Sequence, residues 1–422
     1  MPKSARAILQ FCVCVAFVGA GVLAQAGVGA SQLPPSVVHQ LAKLSPSDGE
    51  TFESFGTSVA ISGDTVVVGI NNESAVTQNT AYVFVKPASG WADAVETAQL
   101  TPSDGTTGDR FGISVAISGN TIFVGSSHFN QFAAEGAIYV FVEPAGGWAS
   151  MTETAKLSAG TAFGRIGLQI AAGGNTVISS TVAQGGQVAI WDKPVAGWTN
   201  KGPDATLTTS DGANNFGSTL AMSVTGDTIL AFGQAQRGLD ESLVYVFVRP
   251  PTGWRGKNIT QTAELITSDG LVNDDLGLSI GISGSTVAAG APGYNSGTGA
   301  VYVYVKPASG WVNMHETAVM VAFGAPFLGE SVAVSGSTIV GGSPFANVGG
   351  NLQQGAAFVY RKPVSGWTST SGYNAMLTAA DGVELDNFAT SVAMSGSTIV
   401  VGAPFVSSGS NTQEGAAYVF GQ

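Results

Sequence analysis

The stretch from Phe111 to Gly125, FGISVAISGNTIFVG, decides the fold. It holds two runs of apolar and small residues, Gly112–Ser118 and Thr121–Gly125, joined by the dipeptide Gly119-Asn120. Glycine accepts a positive φ at the first central position of a type II′ turn, so this dipeptide predicts a two-residue hairpin. The two runs are therefore predicted to be neighbouring antiparallel strands, here named strands a and b.

Two further strands are predicted downstream of this hairpin. Ala137–Val142 (AIYVFV) is rich in β-branched and aromatic residues, which favour strands, and Pro144 ends it because proline cannot donate to a sheet. After a turn at Gly147-Trp148 comes Glu153–Leu157 (ETAKL). These segments are named strands c and d, and the unit is a four-stranded sheet.

The unit recurs along the chain. Gly-Trp recurs with tryptophan at Trp91, Trp148, Trp198, Trp254, Trp311 and Trp367. A Phe-Gly anchor or a variant of it occurs seven times, at Phe55-Gly56, Phe111-Gly112, Phe163-Gly164, Phe216-Gly217, Leu276-Gly277, Leu328-Gly329 and Phe388-Ala389. Residues 37–422 divided by seven give about 55 residues per unit, which suits a four-stranded propeller blade.

The two ends of the repeat region complement each other. The region begins with a strand-d sequence, Leu41–Leu44, and its last strand is a strand c, Ala417–Phe420. Pairing the first strand with the last three closes a ring and removes two open sheet edges. The sequence thus predicts an all-β fold, a seven-bladed β-propeller with four-stranded blades in which the N-terminal strand completes the last blade.

Composition agrees with this fold and excludes several classes of protein. Only 10% of residues are charged, against about 25% on average, and 58 of 422 are glycine, which disfavours a helical protein. A hydrophobic fraction of 44% argues against disorder. The formal net charge of −12 argues against a nucleic-acid partner, which needs a Lys/Arg surface.

The first 26 residues are predicted to be a secretory signal peptide. Lys3 and Arg6 precede an apolar run, Phe11–Ala24, and Ala24-Gln25-Ala26 has the pattern of a cleavage site. An uncleaved anchor is the alternative. The predicted organisation is a signal peptide at 1–26, a short linker at 27–37 and the propeller at 38–422, in an extracellular or periplasmic protein with no membrane span in the mature chain.

Cleavage would change both the charge and the cysteine content. Removing residues 1–26 takes away Lys3 and Arg6 and no acidic residue, so the formal charge falls from −12 to −14. Cys12 and Cys14 are the two cysteines of the chain, and both lie in the predicted signal peptide. The mature chain would therefore enter an oxidising compartment without a disulfide to form.

These motifs resemble the FG-GAP repeat of integrin-type propellers and of many bacterial secreted proteins. Gly290-Ala291-Pro292 and Gly402-Ala403-Pro404 match the GAP element after strand b. The resemblance implies a propeller. It also implies that a long loop between strands a and b could bind Ca²⁺, as in other members of the family. The a–b connections here are dipeptides such as Gly63-Asp64, too short to supply six to eight oxygens. We therefore expect no cofactor and no tight Ca²⁺ dependence.

Candidate site residues are sparse. Aspartates in Asp-Gly turns recur at Asp48, Asp104, Asp211, Asp269 and Asp381, where they are predicted to be turn residues bonding their own backbone. A shallow cation site is the alternative, with candidate ligands Asp269, Asp274, Asp275, Asp381 and Asp386. Candidate ligand-binding residues are Arg110, Arg165, Glu330 and His128, and no residue is predicted to be catalytic.

The repeats differ from one another mainly in the d–a and b–c loops, which share one face of a propeller. Variable loops beside uniform turns are typical of an interaction face, although loops also drift without selection. We expect a secreted or cell-surface, adhesin-like monomer that binds a protein or a glycan there without catalysis. The alternative is an enzyme acting on polysaccharide, such as a lyase or glycosidase, with its site at the channel mouth.

Overall fold

The computed structural model describes residues 38–71, 80–106, 108–127, 136–160, 166–181, 186–235, 241–269 and 274–421. The predicted signal peptide and linker lie outside these residues. The described strands form seven antiparallel blades, each with the spatial order a-b-c-d, which confirms the predicted seven-bladed propeller. Within the same residues, no helix is long and apolar enough to cross a membrane.

Along the chain, β1 (His39–Leu44) comes first and belongs to the seventh blade. The first blade is formed by β2 (Ser58–Ser62), β3 (Thr65–Gly69), β4 (Ala81–Val85) and β5 (Ala98–Thr101). The second contains β6 (Phe111–Ser118), β7 (Thr121–Ser126), β8 (Ala137–Val142) and, after the short β9 (Met151–Thr152), β10 (Ala155–Leu157). The third contains β11 (Ile170–Gly173), β12 (Thr176–Thr181), β13 (Gln187–Asp192) and β14 (Ala205–Leu207).

The remaining blades repeat this order. The fourth contains β15 (Leu220–Met222), β16 (Thr228–Ala235), β17 (Glu241–Val248) and, after β18 (Gly256–Ile259), β19 (Ala263–Ile266). The fifth contains β20 (Ile280–Ser283), β21 (Thr286–Ala291), a helical turn α1 (Tyr294–Gly297), β22 (Ala300–Val305) and, after β23 (Met314–His315), β24 (Ala318–Met320). The sixth contains β25 (Ser331–Ser335), β26 (Thr338–Ser343), β27 (Ala356–Arg361) and β28 (Ala375–Leu377), and the seventh β29 (Ser391–Ser395), β30 (Thr398–Ala403) and β31 (Ala416–Gly421).

Ring closure occurs as the sequence predicts. β1 pairs antiparallel with β31, with Leu44 opposite Ala417 and His39 opposite Gly421, so the first described strand completes the last blade. Leu44 is fully buried and belongs to the apolar cluster between the seventh and first blades. The closing strand is therefore part of the core as well as of the sheet.

The core consists of seven apolar clusters, one between each pair of adjacent blades. The Gly-Trp tryptophans pack in six of them, which confirms the predicted packing role. Trp148, Trp198, Trp254, Trp311 and Trp367 are buried, and Trp91 is half-buried. Only the cluster between the sixth and seventh blades contains no tryptophan among the described residues.

The a–b hairpins also follow the prediction, with one exception. Their first glycines have φ between +56° and +74°, as the two-residue turn requires. In the fourth blade, however, the predicted turn Gly226-Asp227 is part of a longer connection, because Met222 already pairs with Ile229. Ser223 stabilises this connection by accepting the backbone N–H groups of Asp227 and Thr228 at 3.1 and 3.0 Å.

The prediction that Phe163-Gly164 is the third anchor is wrong. Counting back from the a–b turn, Ile166-Gly167 takes the place of Phe111-Gly112, and Phe163-Gly164 lies outside the described residues. Ile166 is buried between the second and third blades, and Gly167 has φ +88°. A Cβ on Gly167 would stand 2.3 Å from the Ala137 carbonyl oxygen, so the position requires glycine.

Serine and threonine hydroxyls at the strand-a entrances join adjacent blades. The hydroxyl of Ser114 donates to the carbonyl of Gly167 at 2.7 Å, and that of Ser279 donates to the carbonyl of Gly329 at 2.6 Å. The same bond recurs from Ser58 to Gly112, Thr219 to Leu278, Ser331 to Ala389 and Ser391 to Gly56. These hydroxyls at the channel entrance therefore serve the architecture of the ring.

Ala389 provides a test of the anchor geometry. It takes the glycine position of the seventh anchor with φ +73°, a conformation that costs a non-glycine residue about 1–2 kcal/mol. Replacing it with glycine costs roughly 0.5–1 kcal/mol of chain entropy. We therefore expect Ala389→Gly to stabilise the protein by up to about 1 kcal/mol in urea unfolding. Ala393→Gly, in β29 of the same blade, is the control and should destabilise it.

Candidate functional site

The d–a and b–c loops lie on one face of the ring, and two pairs of them dock against each other. In the first pair, residues 49–55 follow β1 and residues 411–414 precede β31. The N–H of Phe52 donates to the Thr412 carbonyl at 2.9 Å, and the N–H of Phe55 donates to the Glu414 carbonyl at 2.8 Å. The side-chain amide of Asn411 donates to the Gly49 carbonyl at 2.8 Å, so the pair forms one rigid layer.

The second pair has the same construction one blade away, between residues 382–388 and residues 351–354. The N–H of Leu385 donates to the Leu352 carbonyl at 2.9 Å, and the N–H of Phe388 donates to the Gln354 carbonyl at 2.8 Å. The amide of Asn351 donates to the Gly382 carbonyl at 3.2 Å. Because both loops of each pair are held by backbone bonds, the side chains between those bonds are presented in fixed positions.

Each docked pair presents a large apolar side chain to solvent from a strained backbone. Phe52 has φ +63° and Leu385 has φ +68°, and each is 54% exposed. A bulky residue in the left-handed region is a genuine outlier, and such outliers concentrate at binding and catalytic sites. Further exposed apolar residues on these loops are Leu352, Val383 and Phe405. Together these five residues are named the apolar loop set.

The recurring Asp-Gly aspartates have an architectural role, but with a different partner from the one predicted. Their carboxylates accept the hydroxyl of the strand-c tyrosine of the following blade rather than only their own backbone. The bonds are Tyr82 to Asp48 at 3.0 Å, Tyr139 to Asp104 at 2.8 Å, Tyr245 to Asp211 at 2.9 Å and Tyr302 to Asp269 at 2.9 Å. Burial, together with these carboxylates, raises the pKa of Tyr82, Tyr139 and Tyr302, so the hydroxyls stay protonated donors.

A second set of carboxylates lies two residues before the Phe-Gly anchors. Each of them stabilises the turn of its own d–a loop by a hydrogen bond to the backbone. Glu53, Asp109 and Asp386 each accept the backbone N–H three residues earlier, at 2.9, 2.5 and 2.7 Å. Asp274 has the same offset, but the matching residue 271 lies outside the described residues. These carboxylates are not predicted from the sequence as one set, although their shared offset is visible once the copies are aligned on their anchors.

Glu53 is the most perturbed of these carboxylates. It is buried beside Tyr82, whose hydroxyl donates to its Oε1 at 2.7 Å. Burial raises the pKa of Glu53 from 4.5 to about 7, against the opposing effect of the Tyr82 bond. Its proton therefore exchanges near neutral pH inside the first docked loop pair.

We expect the protein to lose stability as the pH rises from about 5 to 8. The pKa of Glu53 is higher in the folded state, so its stabilising contribution is complete below pH 4.5 and is lost as the pH rises through about 7. One pKa unit corresponds to about 1.4 kcal/mol, so the change amounts to roughly 3 kcal/mol at most. Urea unfolding at several pH values measures it.

Glu53→Gln should flatten this pH profile, because glutamine keeps the shape of the side chain and cannot ionise. Glu384→Gln, at an exposed site in the second docked pair, is the matched control and should leave the profile unchanged. A wild-type profile that rises over this pH range would contradict the assignment of Glu53.

Three of the predicted cation ligands are neighbours, because burial raises the pKa of Asp274 and the negative charges of Asp269 and Asp275 raise it further. Asp381 forms a salt bridge with Lys43 at 2.5 Å, and although burial acts to raise its pKa, the hydrogen bond and charge of Lys43 lower it overall. Asp269 binds Tyr302, and Asp386 is engaged in its own loop. Among the described residues, no group of three or more His, Cys, Asp and Glu could hold a metal ion. Ca²⁺ independence stays a prediction.

Two carboxylates, Glu330 and Asp275, lie beside the anchors Leu328-Gly329 and Leu276-Gly277 of adjacent blades. Burial raises the pKa of Glu330, and the negative charge of Asp275 raises it further. Burial also raises the pKa of Asp275, whose backbone is left-handed with φ +56°. Arg110, half-buried with φ +51°, has the equivalent position before its own anchor. The other two candidate ligand-binding residues, Arg165 and His128, lie outside the described residues.

Comparison with known proteins identifies the repeat. Four stretches of the chain, residues 38–84, 94–141, 259–304 and 372–420, match the FG-GAP repeat. Each match begins at or just before a strand d and ends in a strand c, so the repeat has the phase that closes this ring. No curated protein matches the chain.

Among solved structures, the chain is similar to the computationally designed Ika8 protein. The similarity covers 91% of this chain and 99% of that protein, with 14% sequence identity and a TM-score of 0.48. The chain is a seven-bladed β-propeller in which four stretches are FG-GAP repeats.

Proposed function

We propose that this propeller is a secreted, adhesin-like binding module that captures a protein or glycan ligand through its d–a/b–c loop face. The observation that carries the proposal is the apolar loop set. Phe52 and Leu385 remain exposed in strained backbone that docked loops hold in place. Preorganised apolar anchors lower the entropy cost of binding, which supports a recognition role.

The proposal assigns different roles to the two faces. Short glycine turns dominate the opposite face, and their uniformity is explained by folding alone. The loop face differs from copy to copy, and its fixed, exposed side chains supply the chemistry of a contact surface. The signal peptide predicted from residues 1–26 would deliver such a module outside the cytoplasm, where we expect it to act as a monomer.

An array of proteins and glycans probed with the mature chain tests this proposal. For any ligand found, Phe52→Ser combined with Leu385→Ser should weaken binding at least tenfold, equivalent to about 1.4 kcal/mol. Val195→Ser combined with Val364→Ser is the matched control, because these valines are fully exposed in c–d turns on the opposite face. Equal losses in both double variants would contradict a role for the loop face.

One observation favours the second candidate function, a polysaccharide-acting enzyme. Glu330 and Asp275 lie beside the anchors of two adjacent blades, and both have a raised pKa, as a general acid requires. Incubating the mature chain with acidic and neutral polysaccharides, and following reducing ends and absorbance of unsaturated products, tests this function. Turnover abolished by Glu330→Gln would support the enzyme and displace the binding module.

A further inference from the structure

Adjacent blades are joined by a short backbone contact, here named the clasp. In it, residues just after the Gly-Trp turn of one blade pair in parallel with strand d of the preceding blade. β9 pairs with β5, β18 with β14 and β23 with β19. Single parallel bridges replace the short strand at Leu44 with Ala94, Leu157 with Lys201 and Met320 with Thr370. The clasp therefore covers the outer edge of strand d at six of the seven interfaces.

A polar side chain strengthens the clasp at five of these interfaces. Two residues after the tryptophan, an Asp, Ser or Asn oxygen accepts the outward N–H of the central strand-d residue. The pairs are Lys43 with Asp93 at 2.7 Å, Gln99 with Ser150 at 3.0 Å, Lys156 with Asn200 at 2.8 Å, Glu264 with Asn313 at 2.9 Å and Val319 with Ser369 at 3.0 Å. The segment that forms a clasp therefore has a defined sequence pattern. It contains Gly-Trp and, two residues after the tryptophan, a side chain with an oxygen acceptor.

The seventh clasp is missing from the described residues. In the other blades the clasp belongs to the connection between strands c and d. In the seventh blade, strand c is β31 and strand d is β1, so no chain segment connects them. In the first blade, the clasp residue Ala94 lies four residues before strand d and bridges Leu44 of the preceding blade. Val38 has the same position before Ala42, but it forms no bridge to Leu377, the residue that corresponds to Leu44. The N–H of Met376, the equivalent of Gln99, forms no hydrogen bond within the described part of the chain, and its side chain is 46% exposed.

A groove accompanies this open edge. It has a volume of about 260 Å³ and lies between the a–b turns at Gly336-Ser337 and Gly396-Ser397. Val38, Val359, Met394 and Ile399 are among its lining residues, and Val38 also packs against the cluster between the sixth and seventh blades. Between the second and third blades, the equivalents of Val359 and Ile399 are Val140 and Val177, and both pack in one buried cluster with Trp198. A cleft of about 320 Å³ between the equivalent turns of the second and third blades is lined by Trp198 itself, so such a cleft also occurs beside an occupied clasp. The open edge and the groove lie where that interface places its clasp and its indole.

We propose that this clasp, which no described residue fills, is a docking site for an extended segment of a partner polypeptide that carries Gly-Trp followed two residues later by Asn, Ser or Asp. The segment adds a parallel strand to β28, its indole enters the groove, and its polar side chain accepts the Met376 N–H. An unpaired strand edge is a ready template for such strand addition. A second copy of this chain does not fit, because its six Gly-Trp tryptophans already pack in its own interfaces.

A synthetic peptide copying residues 307–317, PASGWVNMHET, is the probe, because it contains Trp311 and Asn313 of an internal clasp. We expect saturable one-to-one binding to the mature protein by fluorescence anisotropy. The same peptide with Trp311→Ala should bind at least tenfold more weakly. Met376→Pro in the protein should weaken binding to the same extent, because proline removes the outward N–H and leaves the ladder to β27 intact. Val195→Ser is the control and should bind as wild type.

Ser397→Trp is a second blocking variant, which fills the groove from its rim and does not depend on proline being tolerated in β28. Phe52→Ser combined with Leu385→Ser should leave peptide binding unchanged, which separates this site from the loop face. The proposal is overturned if the peptide shows no saturable binding, or if it binds equally after Trp311→Ala or after both blocking substitutions. Binding that appears only when residues 27–36 are removed would also overturn it, since the chain itself would then occupy the edge.

Discussion

A mature chain that begins at Ser45, and so lacks β1, is expected to aggregate or to melt far below the intact protein. Losing a short N-terminal segment is tolerated in most domains, but here the segment is the outer strand of the seventh blade and contributes to the core. Leu44 is fully buried, and losing a buried leucine alone costs about 2–5 kcal/mol. Without β1, strand β31 becomes an open apolar edge of sequence AAYVFG, which recruits other chains.

The closing strand also ties three blades together. It pairs with β31 of its own blade, Gln40 accepts the Ala380 N–H from the sixth blade at 2.9 Å, and the Lys43 N–H donates to Asp93 of the first blade at 2.7 Å. Removing it therefore opens the ring at more than one contact. Size-exclusion chromatography and thermal melts of the chains beginning at Val38 and at Ser45 measure the effect.

The chain beginning at Val38 is the matched control, because it keeps every residue of β1 and should melt like the mature protein. Adding a peptide of residues 36–46 to the chain beginning at Ser45 should restore part of the lost stability. A soluble monomer that lacks β1 and melts at the same temperature would contradict the closure and, with it, the blade count deduced from the two incomplete ends.

The fold could be predicted from the sequence because each blade repeats the same local signals. A glycine turn, two alternating strands, a proline after strand c and a Gly-Trp turn recur about every 55 residues, and each acts over a short stretch of chain. The closure followed from counting strands at the ends. Both predictions depend only on local patterns and on the number of strands, and a single sequence contains this information.

The third anchor shows that matching the Phe-Gly consensus alone can select the wrong residues. Phe163-Gly164 has the letters of the motif, but the fold needs a glycine of positive φ and a buried apolar side chain at a fixed distance before the a–b turn. Ile166-Gly167 meets both needs, and Gly174-Asn175 marks the register from which it can be found. The physical requirement of a position, rather than its consensus letter, identifies the equivalent residue.

The candidate site was less predictable because it depends on contacts between distant residues. The hydroxyl of Tyr82 lies 34 residues from its acceptor Asp48, and Asn411 lies 362 residues from Gly49. The left-handed conformations of Phe52 and Leu385 come from docking between loops, and no propensity of phenylalanine or leucine predicts them. Sequence comparison among the copies selected the d–a/b–c loop face as the candidate, but the tertiary bonds determine which side chains are presented on it.

Truncating Trp311 to alanine is expected to lower the free energy of unfolding by about 3–5 kcal/mol, the range for large aromatic residues in cores. Its indole is buried between the fourth and fifth blades in a cluster with Leu230, Val246 and Tyr304. Both blades are built on rigid sheets that cannot collapse into the space left by the ring, so a cavity adds to the lost burial. Equilibrium urea unfolding measures the loss.

Val312→Ala is the matched control for Trp311→Ala, because the neighbouring valine in the same c–d connection is 46% exposed. It should change stability by no more than about 0.5 kcal/mol, as surface substitutions usually do. Trp91→Ala is expected to fall between the two, since that indole is only half-buried. A loss below about 1 kcal/mol for Trp311→Ala would mean that the repeated tryptophans do not hold the blades together and are free to serve as ligand platforms.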